Sequence, residues 1–236
     1  MYGLSFMVKN KDEKKFFEYT VDFANPAKLN LELNQIIEER SLSNEEFDLV
    51  TVIHHNRQNT LVPQSLFDSK HAQTFLSLNV KLLSGDSVYY EIVNQSDMVN
   101  VYLPLQPLEI NLNTLKLQHR HSAGVFLEQI HHIQSKMQNL PVFEIFLNVF
   151  PNDFQIAVFK NEQLQAYNHF DFEETDDFLY YLFFMMETLG IDETKSQIYM
   201  MGVEPDHDLL DQLKTFTKNV NVLPPLTPSQ INNYLL

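Results

Sequence analysis

Nine consecutive apolar or aromatic residues, Phe178 to Met186, restrict what this chain can fold into more than any other stretch. They follow an acidic segment containing Glu173, Glu174, Asp176 and Asp177, and Gly190 lies just beyond them. Thr175 is suited to cap a helix here, because its hydroxyl can accept from an unpaired amide of the first turn. Asp176 and Asp177 then sit at the positive end of the helix dipole. Gly190 accepts the left-handed conformation that closes helices, and Ile191 can fold back onto the last turn. A helix apolar around its whole cylinder needs neighbours on several sides, yet nine residues are less than half of the ~20 that cross a bilayer. The segment is therefore expected to be a core helix lying on a sheet.

The flanking pattern supplies that sheet. Pro141 marks a restart, after which Val142 to Val149, Phe154 to Phe159 and Leu164 to Phe170 read as a three-strand meander with short turns at Phe150 to Asp153 and Lys160 to Glu162. Beyond the apolar helix come a strand, Gln197 to Val203, and a helix capped by Asp206 with Leu209, Leu213 and Phe216 inward. A strand from Asn219 to Leu223 and a capping box at Thr227 to Gln230, opening a short terminal helix, complete the chain. The order βββαβαβ is that of a ribonuclease-H-like half: a mixed five-stranded sheet, its first three strands antiparallel, with helices on its faces.

Residues ahead of Pro141 repeat part of this order. Tyr2 to Val8 and Lys15 to Phe23 read as strands around the turn Asn10 to Lys14, and Asn25-Pro26 opens a helix to about Arg40. Phe47 to His54 is expected as a central strand, Thr60 to Pro63 as a turn feeding short helices from Gln64 to Leu78, and Ser87 to Val93 with Met98 to Leu103 as a hairpin. Pro107 starts a short helix, and Ser122 caps another with Phe126, Ile130, Ile133 and Met137 inward, ending near Pro141. Two such halves in tandem, residues 1–140 and 141–236, make the actin-like α/β architecture of actin, Hsp70 and sugar kinases. No residue-level self-similarity accompanies this topological repeat.

Several segments resemble, in order and spacing, an uncharacterised bacterial family known as domain of unknown function 3822. They are Thr60-Leu-Val-Pro-Gln-Ser-Leu-Phe67, His121-Ser122, Tyr167-Asn-His-Phe-Asp-Phe172, Thr175-Asp-Asp-Phe-Leu-Tyr-Tyr181 and Met201-Gly202. The resemblance covers nearly the whole chain and implies a fold similar to actin-like ATPases; it transfers no catalytic residues. The family pattern has a further strand ahead of the position of Gly3, so the first half is expected to lack its first strand and to keep an open edge.

Composition removes several functions. A formal charge of −15 repels phosphate backbones and anionic lipid, so neither nucleic acid nor a membrane surface is an expected partner. The absence of cysteine removes disulfides, thiolate metal sites and thiol catalysis, and no signal peptide opens the chain, which makes the cytoplasm the expected location.

Three chemistries come into question. Actin-like ATPases grip phosphate with glycine-containing hairpin turns beside an Mg²⁺-organising aspartate, but the corresponding turn, Asn148-Val-Phe-Pro-Asn-Asp153, has no glycine and carries Phe150-Pro151. Gly202 stands where such proteins contact adenosine, and close packing is its other explanation. A metal-dependent nuclease would need clustered carboxylates, for which Glu144, Asp171, Asp176, Asp177, Asp206 and Asp208 are the candidates, most of them explained by helix capping. Among nine histidines, His119 and His121 share a side if extended, while the adjacent pairs His54-His55 and His131-His132 do not converge, so no metal site is expected. Tyr167, His169, Phe170, Phe172, Tyr180 and Tyr181 are the candidate interface, between the halves or toward a partner. The expected function is a non-catalytic binding or scaffold protein with no cofactor and a protein partner, a second copy of the chain being one form of it. A nucleotide-binding regulator taking ATP and Mg²⁺ is the alternative, and the nuclease a third.

Overall fold

The computed structural model describes residues 2–8, 17–23, 28–105, 112–138, 141–204 and 207–223. In chain order the elements are β1 (Tyr2–Val8), β2 (Phe17–Phe23), α1 (Leu29–Glu39), β3 (Glu46–Phe47), β4 (Val50–His54), β5 (Asn59–Pro63), α2 (Ala72–Ser77), β6 (Tyr89–Ile92) and β7 (Met98–Tyr102). There follow β8 (Asn113–Thr114), β9 (Leu117–His121), α3 (Ser122–Lys136), β10 (Phe143–Val149), β11 (Asp153–Lys160) and β12 (Gln163–Asp171). The last are α4 (Thr175–Thr188), β13 (Ser196–Met201), α5 (Asp208–Phe216) and β14 (Val220–Val222). The anticipated turn Asn10–Lys14, the cap Asn25-Pro26, the helix at Pro107, Asp206 and the terminal capping box lie outside the described residues. Packing divides the chain into two units, Met1–Val52 with Leu105–His119 and Ile53–Pro104 with Arg120–Leu236.

In the first unit β1 and β2 pair antiparallel, with Tyr2 opposite Phe23 and Val8 opposite Phe17. Helix α1 buries Ile36 and Ile37. The stretch from Phe47 to His54 is no central strand. It divides into β3, parallel to β8, and β4, which pairs with β9 in a two-stranded sheet. Ile53, where the second unit begins, is exposed.

The second unit contains the core. Its sheet has the order β12-β11-β10-β13-β14, with β10, β11 and β12 antiparallel and β13 and β14 parallel to β10. This is the mixed five-stranded sheet that the βββαβαβ order anticipates. Alternation then sorts side chains to two faces. Ile145, Leu147, Phe154, Ile156, Ile198 and Met200 meet Phe178, Leu182 and Met186 of α4 and Leu209 and Leu213 of α5. Phe146, Ala157, Phe159 and Tyr199 meet Phe126, Leu127 and Ile130 of α3 on the other. A smaller three-stranded sheet, β5-β7-β6, packs Val62, Val99 and Val101 against Ala72 and Leu76 of α2. Thr60 to Pro63 is thus strand rather than turn: Pro63 sits at its end, where a missing amide costs the ladder least.

Helix ends differ from expectation by single residues. The α4 N-cap is Glu174, not Thr175, and the Asp177 carboxylate accepts from the backbone amides of Glu173 (3.1 Å) and Glu174 (3.2 Å). Gly190, at φ +62°, closes the helix, with Ile191 N–H donating to the Met186 carbonyl at 2.9 Å. The nine apolar residues are not buried all round: Tyr180 and Phe184 face outward. Helix α5 is capped by His207 and buries Leu209, Leu210 and Leu213, while Phe216, expected inward, is exposed.

Candidate functional site

The sheet surface facing α3 changes character along its length. At one end it presents Phe146, Ala157 and Phe159. At the other the same alternation brings up Asn148 on β10, Asp153 and Gln155 on β11, and Tyr167, His169 and Asp171 on β12. Cross-strand register sets Asn148 opposite Gln155, Gln155 opposite His169, and Asp153 opposite Asp171. A buried polar surface needs partners, and these residues find them in one another and in the segments before β5 and at the start of α3.

At the centre is Asp153. Its Oδ1 lies 2.9 Å from His55 Nε2 and 2.7 Å from His169 Nε2. Burial raises the Asp153 pKa, but its contacts with His169 and His55 outweigh it and hold the carboxyl below the usual range. His169 Nδ1 is 3.2 Å from the Asn56 carbonyl oxygen. His55 Nδ1 is 3.0 Å from Ser122 Oγ, which also accepts from Gln155 Nε2 at 2.9 Å. Gln155 donates further to the Tyr167 hydroxyl at 3.2 Å and accepts from Asn148 Nδ2 at 3.2 Å. The Phe150 ring lies 4.1 Å from that of His55. Beside the cluster opens a cavity of about 610 Å³ lined by His55, Asp153, His169, Arg57, Lys81 and Asp171 among others.

Ser122, His55 and Asp153 have the connectivity of a proton relay. Ser122 is buried and already engaged by Gln155, so its hydroxyl is held inside the network rather than offered to a substrate. The expected capping role of Ser122 belongs to His121. That ring is fully buried at the N-cap of α3, where Nδ1 accepts from the Ala123 amide at 3.1 Å. Nε2 faces Asn56 Oδ1 at 3.4 Å.

Burial, assisted by the neighbouring His55, His169 and His54, pushes the pKa of His121 down to about 3. The folded chain keeps this ring neutral, whereas the unfolded chain takes up its proton below about pH 6.5. Acid therefore favours the unfolded state from near pH 6.5 down to about pH 3. The expected loss from this ring alone is about 2 kcal/mol at pH 5. His121→Asn, which retains a cap, should flatten the fall in urea midpoint between pH 7.5 and pH 5; an unchanged slope would refute the assignment.

The candidates from sequence disperse. Phe170 stacks on Tyr181 with centroids 4.4 Å apart, and both pack with Phe172 against the α4 face of the sheet. Tyr167 and His169 point to the α3 face, and Tyr180 is exposed. Glu144, a candidate nuclease carboxylate, is buried, accepts from Gln134 Nε2 at 3.0 Å and has its pKa raised by burial. Asp171 pairs with Arg57 at 2.8 Å on the surface, and Asp176, Asp177 and Asp208 occupy first turns of helices. Gly202 has φ +83°, and a Cβ there would overlap the Val149 carbonyl oxygen. The adjacent His54 and His55 separate: buried His54 has its ring 6.0 Å from Tyr102, whereas His55 joins Asp153. Asp153 and His169 belonged to no common sequence motif; the available signal was Asp153 and Gln155 at alternate positions of an otherwise apolar strand.

Among the described residues no helix is long and apolar enough to cross a membrane. A family model described as "Protein of unknown function (DUF3822)" matches residues 1–220. Among solved structures, a Bacteroides thetaiotaomicron protein with an actin-like ATPase fold and unknown function is 19% identical, with a TM-score of 0.75 over 94% of this chain and 86% of that one. A chain of the PilM-PilN type IV pilus biogenesis complex is 12% identical, with a TM-score of 0.61 over 97% of this chain and 86% of that one. A search of curated proteins gives no match. The likenesses show an actin-like fold.

Proposed function

The chain belongs to DUF3822, a family of proteins of unknown function, and on that footing we propose that it is a non-catalytic binding or scaffold protein on a degenerate actin-like fold. In this reading the fold consists of two ribonuclease-H-like halves, residues 1–140 and 141–236, and works in the cytoplasm. The complete βββαβαβ sheet supports the second half, and the hairpin β1–β2 followed by α1 begins the same order in the first.

The observation that carries the binding role is an aromatic surface on α4 and α5. Tyr180 (63% exposed) and Phe184 (49%) stand one turn apart with rings 6.1 Å apart, and Phe183 meets Phe216 (59%) at 5.3 Å. An outward run of large rings on an otherwise amphipathic helix is the usual mark of a surface that another protein covers. A chain of similar fold occurs in the PilM-PilN complex, which supports the use of this fold in protein assembly. At the β10–β11 turn, where the actin-like resemblance would seat phosphate, Phe150 packs on His55 and the Asp153 carboxylate is occupied by two imidazoles.

The test immobilises the full chain and its Tyr180→Lys/Phe184→Lys variant in lysate of the native host. The wild type should retain a protein that the variant loses, at an unfolding free energy changed by less than about 0.5 kcal/mol. Identical captures would sink the reading. Titration with ATP and Mg²⁺ separates the nucleotide-binding alternative, in which Gly202 would lie beside the adenosine: saturable heat at millimolar nucleotide would favour it.

A further inference from the structure

His169 is placed between two acceptors. In the neutral ring an Nδ1–H directed at the Asn56 carbonyl leaves a lone pair on Nε2, facing a carboxylate oxygen at 2.7 Å. Two lone pairs at that separation repel unless a cation stands between them. His55 repeats the arrangement: Ser122 Oγ can accept from Nδ1, leaving Nε2 aimed at the same Asp153 oxygen from 2.9 Å. One proton bridges one such contact. A metal ion satisfies both at once.

We propose that His55, Asp153 and His169 form a binding site for a first-row divalent transition metal of the Zn²⁺ class, with two imidazole Nε2 atoms and one carboxylate oxygen as ligands. The three donor atoms lie within 4.8 Å of one another. On a tetrahedral ion with Zn–N and Zn–O bonds near 2.1 Å, donors stand about 3.4 Å apart. Seating an ion therefore asks the pairs to open by about 0.5–0.7 Å, a change that small rotations of the partly exposed His55 and Asp153 side chains supply. The outer contacts suit the role. Both imidazoles have Nδ1 directed at an oxygen, as metal-bound histidines do, and these partners fix which nitrogen is the ligand. Imidazole donors favour Zn²⁺, Co²⁺ or Ni²⁺ over Mg²⁺ and Ca²⁺, which prefer all-oxygen shells. Three protein ligands leave a coordination position free, and the adjoining cavity carries Arg57 and Lys81, so the fourth donor is a water or an anionic group. This site is independent of the aromatic surface on α4.

The experiment uses the full chain freed of metal by chelation and titrated separately with Co²⁺ and Zn²⁺. One equivalent should bind, Co²⁺ should acquire a visible ligand-field band, Zn²⁺ should raise Tm, and excess Mg²⁺ should not compete. His55→Gln and His169→Gln should each weaken binding roughly 10–100-fold, with His71→Gln as the unaffected control. Should a variant fail to fold, histidine ¹⁵N spectra of the unaltered chain decide: Co²⁺ must broaden the His55 and His169 signals ahead of those of the exposed His71. The proposal is overturned by absence of stoichiometric binding to the wild type, by broadening centred elsewhere, or by undiminished affinity in a folded double variant.

Discussion

Arg120→Met is expected to lower the unfolding free energy by about 3–5 kcal/mol. The guanidinium is buried, with Nε 3.0 Å from Glu91 Oε2 and an Nη 2.9 Å from Glu128 Oε1. Each carboxylate has further partners: Glu91 Oε1 accepts from Asn100 Nδ2 and the His121 amide, and Glu128 Oε1 from the Asn94 amide. Those bonds persist in the variant, but they do not neutralise two charges shut away from water. The loss should therefore far exceed that of an exposed ion pair such as Arg57–Asp171, worth about 0–1 kcal/mol. Burial already raises the Glu91 pKa against the pull of Arg120. Removing the cation raises it further, so the variant is most impaired at neutral pH and less so toward pH 5, where the carboxyl can accept a proton. Arg120→Lys should recover part of the loss, because an ammonium lacks the fork that reaches both partners. Urea unfolding at pH 7 and pH 5 checks the size and the sign; a loss below about 1 kcal/mol at pH 7 would show the pairs to be hydrated.

The second large effect is expected at Gly202. Its φ of +83° disfavours any side chain by about 1–2 kcal/mol, and a Cβ would meet the Val149 carbonyl oxygen and backbone. Backbone at the end of a central strand cannot swing aside as a flexible side chain does, and moving it strains the ladder that pairs Asn148 with Met201. Gly202→Ala should therefore cost roughly 2–4 kcal/mol in total. Gly190→Ala provides the comparison, because Gly190 has φ +62° with open space around its Cβ position, and only about 1 kcal/mol is expected there. Equal losses at the two glycines, measured by the same urea titration, would refute the close approach at Val149.

The order of elements in the second sheet was legible because each is marked locally: alternating strands, short turns, and an apolar helix closed by Gly190. The errors at its helix ends are of one kind. Thr175 and Ser122 are good caps by type, but Glu174 and His121, one residue earlier, take the cap positions, so neighbouring polar residues compete on geometry that spacing does not encode. Phe216 was placed inward from helical spacing, whereas it lies in the last turn of α5, 59% exposed, with its ring against Phe183. The cluster around Asp153 was illegible for another reason. His55 lies 98 residues from Asp153 and 67 from Ser122, and Asn56 lies 113 from His169, so no window contains the site.

Those separations also order events in time. The meander β10–β11–β12 closes over loops of a few residues, and its hairpins can form early; Asp153 and His169, 16 residues apart, meet within it. His55 arrives only after a loop of nearly a hundred residues has closed, which makes its contacts late. Whatever tightens the grip of His55 on this end of the sheet is therefore expected to act after the rate-limiting step of folding. It lengthens the lifetime of the native chain and leaves the speed of its formation almost untouched.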